Sequence, residues 1–120
     1  MTETHPDFAA LRALVVDALE DIKAIDIREI DMRGNASFTD CMIVASGNTD
    51  RQVKALAQNV IRAAKEAGVP PLGVEGEQQG EWILVDLGDI VVHVMQPAVR
   101  EFYGIEKLWG EASPASAGKV

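Results

Sequence analysis

A single cysteine, Cys41, in 120 residues rules out an internal disulfide and fits a reducing cytoplasm. Two histidines, His5 and His93, are too few for a metal centre, which draws on three or four protein ligands. No apolar run approaches the ~18 residues that a membrane helix needs. The opening MTETHPDFAALRALVVDALEDIK carries acids where a secretory signal would carry bases. Basic residues are scarce as well, 11 against 19 acids, for a net charge of −8. Such a chain repels phosphate backbones, so direct nucleic-acid binding would lack its main source of affinity. A basic protein surface is the better electrostatic match.

What is present is an apolar fraction of 48%, enough for one domain with a sizeable core. No internal repeat is visible. The acidity is uneven: between Leu72 and Ala112 eight acids stand against two bases, which is −6 of the −8. Solubilising charge is the ordinary explanation of such an excess.

Residues 7–23 predict an amphipathic helix, with Phe8, Leu11, Val15, Leu19 and Ile22 at helical spacing and Pro6 suited to its first turn. AIDIREIDM alternates apolar and charged residues as an imperfect strand, and Arg33-Gly34-Asn35 signals a turn. TDCMIVASG reads as a more buried strand. In NTDRQVKALAQNVIRAAKEAG, Thr49 and Gln52 form a capping box, and Val53, Leu56, Ala57, Val60, Ile61 and Ala64 make one apolar stripe. Gly68 and Pro70-Pro71 end that helix. After the extended piece LGVEGE come the strands WILVDL and IVVHVM. A short helix follows, started by Pro97 and interrupted by Gly104. The order predicts one α/β domain with a mixed sheet flanked by helices over residues 1–112, and a disordered tail over 113–120.

The two strands flank a tight turn around Gly88, whose loop is either Gly88-Asp89 or Leu87-Gly88. Both registers give the same faces, because they differ by two positions. Ile83, Val85, Leu87, Ile90, Val92 and Val94 form an aliphatic face that belongs to the core. Trp82, Leu84, Asp86, Val91, His93 and Met95 form a mixed face. That face is too apolar for an ordinary wet surface and too polar for a second core. Either it binds a protein partner, or a helix of the same chain covers it with His93 hydrogen-bonded beneath.

Chemical sites are mostly wanting. Cys41 alternates with Ile43 and Ala45 in a buried strand, with no activating base in view. SGNTDR stands between a strand and a helix, where phosphates often bind. It nevertheless lacks the phosphate-loop and dinucleotide patterns, and capping by Asn48 or Thr49 explains it. Asp89 beside Gly88 has the common turn-forming role. An enzyme reading must use Asp86, Asp89 and His93, as in a minimal nucleotidyltransferase, and no pocket is indicated for them. A third possibility is a dimerisation module that buries the mixed face against a second copy.

The segments TDCMIVASGNTDRQVKALA, VEGEQQGEWILVDLGDIVVHVM and REFYGIEKLWGEA resemble the ribosomal silencing factor family, RsfS, also called Iojap. The resemblance runs from about Leu11 to Ala112. Cys41-Met42 replaces the Tyr-Phe of many relatives, and Gly104 stands where a polar or acidic residue is common. The resemblance implies a nucleotidyltransferase-like fold without its catalytic carboxylates or nucleotide loop, and no catalytic residue, metal or cofactor. It implies binding to the large ribosomal subunit through ribosomal protein fourteen, steric exclusion of the small subunit when nutrients are short, and a homodimer when free. On that basis Trp82 is expected to be the apolar anchor, with Leu84 and Met95 as neighbours. Glu75, Asp86, Asp89 and Glu101 are expected to face basic side chains, and His93 and Tyr103 to shape the patch by hydrogen bonding.

Overall fold

The structure, a computed structural model, describes residues 7–33, 39–108 and 113–114. Pro6, most of the turn at Arg33-Gly34-Asn35, Trp109 and residues 115–120 of the expected tail lie outside the described residues. In chain order the elements are α1 (Phe8–Asp21), β1 (Ile25–Asp31), β2 (Cys41–Ser46), α2 (Asp50–Glu66), β3 (Gly73–Glu75), β4 (Trp82–Asp86), β5 (Ile90–Met95), α3 (Pro97–Tyr103), α4 (Ile105–Leu108) and β6 (Ser113–Pro114). They form a six-stranded sheet in the order β3-β4-β5-β2-β1-β6. β2 and β5 run parallel, joined through α2 and the hairpin, whereas every other neighbouring pair is antiparallel. The α/β class with a mixed sheet is as expected. Ser113 and Pro114, placed in the expected tail, pair with Glu29 and Arg28 at the outer edge of β1.

Local chemistry sets the helix limits. Asp7 caps α1, its carboxylate accepting from the Ala10 N–H at 2.8 Å. Thr49 Oγ1 accepts from the Gln52 N–H at 3.0 Å, and the Gln52 amide oxygen reaches back to the Asn48 N–H at 2.8 Å. This is the expected box, offset by one residue on its return bond. All six residues of the α2 stripe are buried.

The sheet carries a core on each face. On one, α1 and α2 cover Ile83, Val85, Leu87, Ile90, Val92 and Val94 together with Cys41, Ile43 and Ala45. On the other, Ile105 and Val99 from α4 and α3 pack on Ile30, Met32, Met42, Val44, Val91 and Met95. Strands β2 and β5 are therefore buried along their whole length, as central strands covered on both faces must be. The second layer is short. It buries β2 and β5, whereas Trp82, Leu84 and Asp86 of β4 stay half-buried, and the site lies at that boundary.

Gly104 directs the short layer: with φ 57° it ends α3, its N–H bonds to the Arg100 carbonyl at 3.0 Å, and Ile105 turns inward. Gly76 holds the other side. Its φ is 87°, and a β-carbon there would stand 2.1 Å from the Trp82 carbonyl oxygen. Neither the backbone conformation nor the space admits a side chain. Gly76→Ala is expected to lose about 2 kcal/mol of stability, seen as a lower urea midpoint at unchanged slope. Gly73→Ala is the control, since a β-carbon there meets nothing within 4 Å. It should stay within about 0.5 kcal/mol of the parent.

Candidate partner-binding site

Register assigns the hairpin. Asp86 pairs with Val91, and the Leu87 N–H donates to the Ile90 carbonyl at 2.9 Å, so the loop is Gly88-Asp89. The turn-forming carboxylate is Asp86, which accepts from the Gly88 N–H at 2.9 Å. The role expected of Asp89 thus falls to its neighbour, because an Asx turn is closed by the residue that enters the loop. The Asp89 carbonyl accepts from the N–H groups of Asp40 and Cys41, each at 3.1 Å, tying the hairpin to β2. Its side chain remains exposed at the tip.

The same pairing sets Trp82 opposite Met95 and Leu84 opposite His93 on the mixed face. Trp82 lies diagonal to His93, and its indole N–H donates to His93 Nδ1 at 2.9 Å. The two rings are 5.9 Å apart, tilted by 46°. On its other side Trp82 meets the ring of Tyr103 at 4.9 Å. Tyr103 in turn meets Phe102 edge-on at 5.0 Å. A ladder of rings therefore runs from a buried imidazole, through a half-buried indole, to two exposed aromatics on α3. Tyr103 contributes a tilted ring contact, and the hydrogen bond within the patch joins Trp82 to His93.

His93 is 6% exposed. Burial pulls its pKa down to about 4, so the ring is neutral near neutral pH. With Nδ1 accepting from the indole, the proton sits on Nε2. Cys41 is also buried; burial and the carboxylate of Glu29, 3.4 Å from its sulfur, raise the thiol pKa and make it a poor nucleophile.

Of the expected site residues, Trp82, Leu84, Tyr103 and His93 come together. Glu75 pairs with Leu84 across β3 and is exposed at the rim, and Glu101 is exposed on α3. Asp86 is half-buried at the far end of β4, and Asp89 lies beyond it. Met95 does not reach the surface. It is fully buried under the short α3–α4 layer, so it supports Trp82 from below rather than offering itself to a partner. Of the two readings of the mixed face, cover by helices of the same chain applies to the β5 half, whereas Trp82, Leu84 and Asp86 on the β4 half are only half-buried.

Phe102 was not singled out from sequence. It is 81% exposed, and its signal was the Phe-Tyr pair just before the helix-ending Gly104. Arg100 is likewise outside the expected site residues. It is 7% exposed, and its guanidinium holds Glu106 through two bonds of 2.8 and 3.2 Å and Ser46 Oγ at 2.9 Å. Asp26 stands 3.6 Å away.

The arrangement does not suit acid–base chemistry. The Asp86 carboxylate holds the turn, His93 Nδ1 is occupied by the indole, and Asp89 is four strand positions from His93, about 13 Å along β5. Among the described residues no group of three or more His, Cys, Asp or Glu could hold a metal ion. Among them, too, no helix is long and apolar enough to cross a membrane.

Comparison with known proteins places this geometry. Residues 4–119 match the family model described as "Ribosomal silencing factor during starvation". The ribosomal silencing factor RsfS of Chromobacterium violaceum is 56% identical over 104 residues, spanning 87% of this chain and 85% of that protein. An X-ray crystal structure of a Chromobacterium violaceum protein superposes with a TM-score of 0.87 at 51% identity, covering 95% of each chain. At greater distance, a mouse protein named "Mitochondrial assembly of ribosomal large subunit protein 1" is 31% identical over 99 residues, 80% of this chain and 43% of that one.

Proposed function

This chain belongs to the family of ribosomal silencing factors, and we propose that it silences translation by docking on the large ribosomal subunit through ribosomal protein fourteen and keeping the small subunit away. The observation that carries this reading is the half-buried β4 side of the mixed face: an aromatic ladder with the exposed acids Glu75 and Glu101 nearby, and Asp86 and Asp89 farther along the hairpin. Aromatic groups inside an acidic rim match a basic ribosomal protein in both apolar contact and charge. The net charge of −8 weighs against ribosomal RNA as the main source of affinity. The mouse relative's printed name also points to the large subunit. No bond is made or broken in this mechanism. A bound protein excludes the small subunit by its volume, so potency follows from affinity and concentration. The setting is the cytoplasm. The family resemblance adds a homodimer as the free form, which sedimentation of the free protein across concentrations checks.

The test is co-sedimentation with purified large and small subunits. Binding to the large subunit alone is expected; binding to neither, or to the small one, would sink the reading. On this background Trp82→Ala is expected to weaken binding by about 2 kcal/mol, roughly 30-fold, as loss of a central aromatic anchor does. A folded Trp82→Ala protein that binds as well as the parent removes Trp82 from that role. Rim acids should behave differently. Glu75→Gln and Asp89→Asn are expected to slow association about two- to threefold each at low salt, and to flatten its salt dependence. Stopped-flow association rates at two salt concentrations separate the two kinds of effect.

A further inference from the structure

We propose that His93 is a positioning residue for the docking patch, whose neutral imidazole fixes the rotation of the Trp82 indole that meets the partner. The inference rests on the docking reading above and deepens it. The β4–β5 register brings Trp82 diagonally over His93, and the indole N–H finds its acceptor 2.9 Å away on a side chain only 6% exposed. The acceptor is therefore a fixed post within packed structure. The exposed ring of Tyr103, 4.9 Å off, flanks the indole on the other side. A tryptophan held in this way is ordered before the partner arrives. A freely turning one must be ordered on binding, which weakens affinity.

The bond needs an unprotonated Nδ1, and the surroundings keep it so. Among the described residues, the register puts Asp86 on β4, Glu75 on β3 and Arg28 on β1 (across Val44) on the face of His93, and the layer packed on that face carries Arg100, Glu101 and Tyr103 on α3 and Glu106 and Lys107 on α4. Asp86 is bonded to Gly88, Arg28 to Asp26 and Arg100 to Glu106. Among the described residues the imidazole's one hydrogen-bonded side chain is Trp82. Burial alone then holds the ring neutral.

Two variants cross volume against acceptor. His93→Phe keeps an aromatic ring and deletes the acceptor, whereas His93→Asn is smaller but carries an oxygen near the place of Nδ1. After thermal melts confirm folding, His93→Phe is expected to bind the large subunit about fivefold more weakly than the parent, and His93→Asn within about twofold. The Trp82 indole N–H resonance, assigned with Trp82→Phe, should move in His93→Phe and stay near its parental position in His93→Asn. The reverse ranking would show that volume matters and would overturn the inference, as would parental binding by His93→Phe. In both of those outcomes the docking reading stands, because the parent binds. A parent that fails to sediment with the large subunit overturns both. If either variant does not fold, the parent decides. On titration from about pH 7 to about pH 4 its indole resonance must move together with the His93 ring resonances. Independent movement overturns the inference.

Discussion

Arg100→Ala is expected to lower the unfolding free energy by about 3 kcal/mol, read as a shift of the urea midpoint at unchanged slope. The size follows from what the guanidinium touches. It is nearly buried, forks onto both oxygens of Glu106 and reaches Ser46 on the central strand β2. Removing it strands a partly buried carboxylate and a buried hydroxyl together, and it opens space between α3 and the sheet. Arg100→Lys keeps the charge but lacks the planar fork, so about half the loss should remain. Two surface charges on the opposite side of the sheet would give a different pattern. Arg62 and Glu66 form an exposed pair one helical turn apart on α2, and Arg62→Ala should change stability by about 0.5 kcal/mol or less. A loss at Arg100 no larger than that would mean that the network is solvated and does not fasten α3. Because α3 carries Phe102 and Tyr103, a true loss should reach the docking face as well, and the aromatic ladder should loosen before the hairpin does.

This network also marks where reading the chain stops. The α2 stripe was fully legible, because helix periodicity is local and the cap at Thr49 lies three residues from its partner. The two faces of the hairpin were legible for the same reason, since strand alternation does not depend on what packs above it. Which half of the mixed face is open was not. That depends on how far a seven-residue and a four-residue helix extend back over the sheet, which the positive φ of Gly104 decides. Met95 accordingly passed for a surface neighbour of Trp82. Arg100 enters the sequence reading only as one of two bases in an acidic segment, since its Ser46 partner is 54 residues away in sequence. The Trp82–His93 bond lay between these cases: alternation put both residues on one face, but only the register made them diagonal neighbours.

His93 gives the other large expectation, a loss of about 3 kcal/mol in stability between near-neutral pH and about pH 4. The sign follows from the direction of the shift. Burial lowers the folded-state pKa from 6.5 to about 4, so below pH 6.5 the unfolded chain takes up a proton that the folded chain refuses. The contribution is complete above 6.5, fades as the pH falls towards about 4, and is flat beyond. At about 1.4 kcal/mol per pKa unit, the interval gives the stated loss. Acid acts on more of the chain than His93, so the measurement is a difference. Urea unfolding of the parent and of His93→Phe should diverge with pH only through the histidine. Asp31, held down to about 2 by its hydrogen bonds to Arg33, is common to both chains and titrates below the window. Parallel stability curves would mean that His93 is solvated in the folded protein and that the indole has no fixed acceptor. Divergence on the predicted side would place the proton, the burial and the Trp82 bond on one group. Acid would then unsettle the docking anchor through the imidazole beneath it.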